Sequence, residues 1–199
     1  MKRLHTLSIL AIFFNLFALN SCSKDEDNTP DPIPQSSNRV LIACEGDFGA
    51  TNASISAYDS ESKELLNQAF EQANNYSLGS ILQSLSVSGD RLYAVVNNSS
   101  KIEVMDVQTL EAESPILGLT SPRYMLEINP SKAYVSDLFS GSISIINLDT
   151  KTLTGQIPIG SWTEELLRFG DFAYVTAVDT DQIYILNVNT DVVVDSIQV

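Results

Sequence analysis

Acid–base and nucleophilic catalysis lean on histidine, and this 199-residue chain has one, His5. His5 lies in an N-terminal leader stretch, so the rest of the chain carries none. That removes Ser/His/Asp triads, Cys/His dyads and most zinc and iron sites. Glu164 with Glu165, and Glu111 with Glu113, have the form of paired carboxylates. Nothing in the sequence sets them against a nucleophile or a substrate, so they read as surface charge. Asp179-Thr180-Asp181 offers two carboxylates to calcium, but two in a loop are ordinarily solvated. No glycine-rich loop precedes a helix, which leaves nucleotide binding without support. The expectation is a chain without metal or cofactor that is not an enzyme. A second set of residues suits binding instead: Phe48, Tyr76, Arg123, Tyr124, Phe139 and Trp162. Whether they share a surface depends on the elements between them.

Those elements repeat. Tyr93, Tyr134 and Tyr174 lie 41 and 40 residues apart, and so do Ile102, Ile143 and Ile183. The same spacing joins Asp106, Asn147 and Asn187, then Thr109, Thr150 and Thr190, then Ile116, Ile157 and Ile197. An earlier copy has Ile55, Asp59 and Ser62 in the corresponding places, after a longer loop. Short runs rich in Val, Ile and Tyr are parted by Gly, Asn, Asp and Ser from Arg39 onward, which predicts β-structure throughout. A period near 40 residues with four strands per unit predicts an all-β chain of β-propeller blades. The units are 39–79, 80–119, 120–160 and 161–199. "LLNQAFEQA" (Leu65 to Ala73) has helical propensity but falls in a strand slot.

Each complete unit reads as strands A, B, C and D. The short Asp/Asn-x-x-Thr/Ser segment after strand C reads as a turn, because small polar side chains bond backbone amides two residues on. Strand C is apolar on both faces, as in Met105, Ile146 and Leu186, which fits sheets packed on two neighbours. In such a propeller the B–C and D–A loops open on one face. The B–C loops are Gly46 to Ser54, Asn97 to Lys101, Asp137 to Ser142 and Val178 to Gln182. The D–A loops run near Asn74 to Ser80, Leu119 to Arg123 and Gly160 to Glu164. All six binding candidates sit in or beside them, and rigid aromatics in loops on a rigid scaffold suit ligand contact. The competing reading is that several pack inward beneath the loops.

The first unit holds only B, C and D. Closed propellers usually complete one blade with strands from both termini. An open end leaves an unpaired edge and an exposed face. The expectation is therefore a chain truncated from seven blades, which at about 40 residues each need about 280. The alternative is a complete four-bladed ring, which the 161 residues after Asn38 could fill.

The N-terminus is of another kind. Lys2, Arg3 and His5 precede an apolar stretch from Leu7 to Leu19, too short for the roughly 20 residues that span a bilayer. Residues 1–21 read as a secretory signal peptide. Leu19-Asn20-Ser21-Cys22 resembles the lipobox of bacterial lipoproteins, in which the cysteine becomes an acylated N-terminus. Three acyl chains at about 0.8 kcal/mol per buried CH₂ anchor a protein durably. The membrane is then met through this lipid anchor alone. Acylation of Cys22 leaves Cys44 with no partner for an intrachain disulfide. Ser23-Lys24-Asp25-Glu26-Asp27 resembles the tag that sends lipoproteins to the outer leaflet in some Gram-negative bacteria; the competing reading is a solvated tether. Residues 22–38, with three prolines and no apolar periodicity, read as an extended, disordered tether. Formal charge is −14 and becomes −16 without residues 1–21, which hold two bases and no acid. That excess of acid excludes a nucleic-acid partner.

Two family resemblances follow. "KAYVSD…GSISIINLDTKTLTGQIPIG" and "FAYVTA…DQIYILNVNT" are similar to the YVTN-type repeats of YncE-like propellers, over about Ser80 to Val199. "CEGDFGATNASISAYD" (Cys44 to Asp59) resembles the opening blade of surface lipoprotein propellers of the domain-of-unknown-function 5074 group. The matching positions are Glu45, Gly46, Phe48, Gly49, Asn52, Ala53, Ser54, Ile55 and Ser56, while Cys44 stands where Asn is commoner. That group includes BtuG-type proteins, which bind cobalamin beside a TonB-dependent transporter. The resemblance implies a surface-exposed lipoprotein of the outer membrane, with a corrinoid as the first small ligand to test and a TonB-dependent outer-membrane transporter as partner. It does not identify the ligand, because the group is broader than its cobalamin binders. Cys22 is the expected lipidation site, and Phe48, Tyr76, Arg123, Phe139 and Trp162 are the expected ligand contacts. The alternative function is a protein-interaction or adhesion scaffold.

Overall fold

The computed structural model describes Ile33 and residues 38–199. The expected signal peptide, Cys22 and all of the expected tether but Ile33 and Asn38 lie outside the described residues. The β-rich reading holds: four antiparallel sheets follow one another along the chain. The first is β1 (Arg39–Cys44), β2 (Ser54–Asp59) and β3 (Leu65–Leu66). After the helix α1 (Ala69–Asn74) come β4 (Leu82–Ser88), β5 (Arg91–Val96) and β6 (Lys101–Asp106). The third sheet is β7 (Pro122–Asn129), β8 (Lys132–Asp137), β9 (Ser142–Asn147) and β10 (Thr152–Pro158). The fourth is β11 (Thr163–Phe169), β12 (Phe172–Ala177), β13 (Gln182–Asn187) and β14 (Val192–Gln198). No helix among the described residues is long and apolar enough to cross a membrane.

The repeat sets the register. Each repeat tyrosine pairs with a branched residue of the next strand: Tyr93 with Val104, Tyr134 with Ile145, Tyr174 with Ile185. β-Branched and aromatic pairs suit a pleated, buried surface. The turn reading also holds. Asp106 Oδ1 accepts from the amides of Gln108 and Thr109 at 2.8 Å, Asp59 and Asn187 do the same in their own turns, and Asn147 Oδ1 accepts from Thr150 N at 2.8 Å. The residue that follows is left-handed each time: Lys63, Leu110, Lys151 and Asp191, with φ of 66°, 57°, 55° and 57°.

Two elements differ from the four-strand pattern. In the second sheet the D slot is reduced to isolated bridges, Ile102 with Ile116 and Met105 with Ala112. In the first, the D slot is two residues long and the chain turns into α1. Ala69, Phe70 and Ala73 lie at helical spacing, and Ala69 and Phe70 are fully buried in the core shared by the first two sheets. The segment has no β-branched residue to resist a helix.

The core lies between sheets rather than within one. Ile55 and Ala57 meet Leu92, Ala94 and Met105 between the first two blades. Tyr93, Val95 and Val104 meet Ala133, Val135 and Ile146 between the next two. Tyr134 and Ile143 meet Ala173, Val175 and Leu186 between the last two. The far face of the fourth sheet is open: β14 is exposed along its length.

Candidate functional site

The B–C and D–A loops do share one mouth, because hydrogen bonds tie them together. Ala53 N donates to Gly79 O at 3.1 Å, Ser100 Oγ to Thr120 O at 2.7 Å, Leu138 N to Ser121 O at 2.9 Å, and Val178 N to Trp162 O at 3.0 Å.

The first B–C loop explains its own sequence. Gly46 has φ +79°, and a Cβ there would fall 2.6 Å from the Ala53 nitrogen, so only glycine fits. Asn52 accepts from Asp47 N at 2.8 Å and donates to the Asp47 carboxylate at 2.9 Å. These residues build the loop, and Phe48 projects from it at 84% exposure.

Phe139 and Trp162 come together. Their rings meet edge to face, with centroids 5.7 Å apart and planes at 88°, at 61% and 47% exposure. Two carboxylates position them. Asp137 is fully buried at the end of β8. Its Oδ2 accepts from Thr120 N (3.1 Å) and Ser121 N (2.8 Å), and its Oδ1 from Phe139 N (2.9 Å) and Ser140 N (2.8 Å). Asp179 accepts from Trp162 N at 3.0 Å and from the Ser161 hydroxyl. The Ser161 bond and the Trp162 amide hold the Asp179 carboxyl below its ordinary range.

Tyr76 and Arg123 are placed differently from Phe139 and Trp162. The Tyr76 hydroxyl donates to buried Glu103 at 2.7 Å, and its ring stands edge-on to Phe70 at 5.2 Å. Burial, then the bond to Glu103, pushes the phenol above its ordinary range. Lys101 completes the group, 2.5 Å from Glu103. Arg123 belongs to a chain of polar groups across three inner strands. Each inner strand has a register shift at its loop end, at Gln83, at Arg123–Tyr124 and at Glu164–Glu165. Bulges of this kind re-aim side chains. Arg123 Nε donates to Glu164 at 2.7 Å, Arg123 also donates to Gln83, and Gln83 donates to Tyr124 at 3.3 Å. Glu164 is therefore the counter-ion of Arg123 rather than unpaired surface charge. Glu113 likewise pairs with Arg91 (3.0 Å) and Lys151 (2.5 Å), and these bonds, Lys151 first, hold its carboxyl low.

The mouth thus offers two exposed aromatics in contact, a third on the first loop, and a rim of carboxylates, hydroxyls and carbonyls. Its one arginine is already paired. Sequence reasoning did not single out Asp137 or Gln83. Asp137 occupies a position held by Val96 and Ala177 in the other units, and a lone acid among apolar equivalents was the available signal. Among the described residues no group of three or more His, Cys, Asp or Glu is arranged to hold a metal ion.

The family described as "Domain of unknown function (DUF5074)" matches residues 38–199. No curated protein matches the chain. Among solved structures, the chain is similar to the computationally designed Ika8 protein at 11% identity and TM-score 0.62, over 82% of this chain and 47% of that one. It is similar to the dihydro-heme d1 dehydrogenase NirN in complex with DHE at 12% identity and TM-score 0.56, over 73% and 34%. It is also similar to the Kuenenia stuttgartiensis hydrazine synthase at 19% identity and TM-score 0.53, over 62% and 39%. These likenesses agree with a propeller-type fold. The chain spans less than half the length of each.

Proposed function

We propose that this chain, which belongs to the DUF5074 family, is a non-enzymatic, lipid-anchored propeller. In this reading it captures a ligand at the loop mouth and passes it to a TonB-dependent transporter of the outer membrane. The observation that carries the reading is the exposed Phe139–Trp162 pair, held edge to face by two carboxylate-clamped loops. Apolar surface fixed in place before a ligand arrives lowers the ordering cost of binding. A corrinoid is the ligand to try first. Its broad macrocycle offers apolar faces to aromatic rings, and its peripheral amides match a rim of carboxylates, hydroxyls and backbone carbonyls. The resemblance of Leu19-Asn20-Ser21-Cys22 to a bacterial lipobox supports the anchor.

The test is an equilibrium titration of the acylated protein with cyanocobalamin, followed by heat and by visible absorbance. Saturable heat that Trp162→Ala weakens by tenfold or more supports the reading. No heat and no spectral change at micromolar concentrations counts against it. The second reading is a protein-interaction or adhesion scaffold, favoured by the openness of the mouth at Phe48. It expects a protein partner retained on the immobilised chain, lost with Phe48→Ala, and no small ligand.

A further inference from the structure

We infer that Ile33, Asn38 and Arg39 fasten the tether to the turn end of the first two blades, so that the mouth points away from the membrane in which Cys22 is anchored. Only the membrane end of this geometry rests on the acyl anchor proposed above.

Ile33 is the one aliphatic residue besides proline between Cys22 and Val40. It is partly buried and packs against the core shared by the first two blades. Apolar surface removed from water there gives this side chain a fixed place that its acidic and hydroxyl-bearing neighbours lack. Pro32 and Pro34 restrict the backbone on both sides of it, which lowers the entropy lost when it docks.

Five residues on, hydrogen bonds fix the chain to two C–D turns. Asn38 O accepts from Ser60 N at 3.1 Å and from Ser60 Oγ at 2.8 Å, and Asn38 Nδ2 donates to Glu61 at 3.1 Å. Ser60 and Glu61 belong to the C–D turn of the first blade. Arg39 donates to the Gln108 carbonyl at 2.7 Å and to the Val107 carbonyl, in the C–D turn of the second. The point where the chain enters the fold is thus tied to both turns.

Strand β1 then carries the chain from Arg39 to Cys44, and the loop that follows holds Phe48. Its 6 residues, at about 3.3 Å each, set the mouth about 20 Å from the entry point. The tether and Phe48 therefore leave opposite ends of the first blade. Cys22 and Ile33 are eleven residues apart, a span of at most about 40 Å. For the mouth to face the lipid, the tether must run back along the blade, which uses about half of that span. With Ile33 released, the sixteen residues from Cys22 to Asn38 reach about 58 Å and the domain can turn over.

The test uses the full acylated chain. In detergent, with Ile, Leu and Val methyl groups isotope-labelled, the Ile33 methyl signals are identified by their loss in I33D. They should show cross-relaxation with Leu and Val methyls of the first two blades. No such cross-peak overturns the docking of Ile33. On lipid vesicles with dansyl headgroups, energy transfer from Trp162, the only tryptophan and a residue of the mouth, reports how near the mouth comes to the membrane. Transfer should be weak in the parent and at least threefold stronger in I33D, with thermal melting of the domain unchanged. Equal transfer in the two, strong or weak, overturns the role of Ile33. A chain that does not stay on the vesicles shows a failure of the proposed anchor, and overturns the orientation with it, while the Ile33 cross-peaks persist.

Discussion

Asp191, in a turn of the fourth blade, accepts a hydrogen bond from Lys132 Nζ of the third at 2.8 Å. The same carboxylate takes the Tyr134 hydroxyl, and burial followed by this bond pushes the phenol above its ordinary range. The contact joins two blades that share no backbone ladder. Asp191→Ala leaves a buried phenol without its acceptor, and the expected loss is about 1–3 kcal/mol. Tyr134→Phe in the same background removes the orphaned hydroxyl and recovers part of it. Denaturant midpoints of the two single variants and the double measure the coupling. Additive effects would show that the pair does not interact.

Leu110 holds the corresponding place in the second blade, but its side chain is apolar and fully buried. Its φ of 57° is unfavourable for a leucine, so packing must outweigh backbone strain there. Leu110→Ala keeps the strain and empties the site. The expected cost is about 2–5 kcal/mol. Leu117→Ala, at 61% exposure a few residues on, should stay within about 0.5 kcal/mol. Similar losses for the two would refute the claim that Leu110 holds the first two blades together.

The repeat was legible because its signal is periodic and local. Tyr93, Tyr134 and Tyr174 announce the B strands, and Asp59, Asp106, Asn147 and Asn187 announce the turns. The helix α1 was hidden because the period assigned a strand to its segment, while the burial of Phe70 depends on the core shared by the first two sheets. Arg123 was read as a ligand contact because it lies in a D–A loop at the mouth. Its partner Glu164 lies 41 residues on, one period away, so the pair becomes visible only when two inner strands are known to be neighbours. Asp137 was the least legible, because its partners are backbone amides, which every residue type but proline supplies alike.

Glu71 gives a prediction about pH. Its Oε1 accepts from Leu78 N at 3.3 Å, and its Oε2 has no hydrogen-bond partner among the described residues. Burial raises this carboxyl above its ordinary range, against the lowering effect of its backbone bonds. A folded-state pKa above the unfolded value means that the folded state binds the proton more tightly. The stability this proton contributes is fully present below the unfolded pKa and is lost as pH rises through the folded one. Glu71→Gln keeps the acceptor for Leu78 and removes the titration. The variant should melt higher than the parent at neutral pH and equally at pH values below the carboxylate range. Melting curves across pH that run parallel would show that Glu71 is not strained by burial.

Asp137 decides whether the aromatic pair is presented at all. Four backbone amides from two loops converge on its two oxygens, and none of the four can be turned into an acceptor. Asn matches Asp in size but puts an NH₂ group where one oxygen stood. Two donors would then face two donors, and the position is fully buried, so water cannot intervene. Asp137→Asn is therefore not conservative here. The expected loss is about 2–4 kcal/mol, from two broken charge-assisted bonds and the unsatisfied groups they leave. The loss has a local signature, because Thr120–Ser121 and Phe139–Ser140 are the segments released. Trp162 packs on Phe139, and Thr163 Oγ1, the next residue, accepts from Asp137 N at 2.9 Å. The emission of Trp162, the only tryptophan in the chain, should shift to longer wavelength before global unfolding begins. Asp179→Asn at the partly exposed clamp beside it should cost less, because solvent can reach the groups it releases. Equal losses at the two positions, or an unchanged tryptophan spectrum in Asp137→Asn, would mean that the aromatic pair is held by ring contact alone.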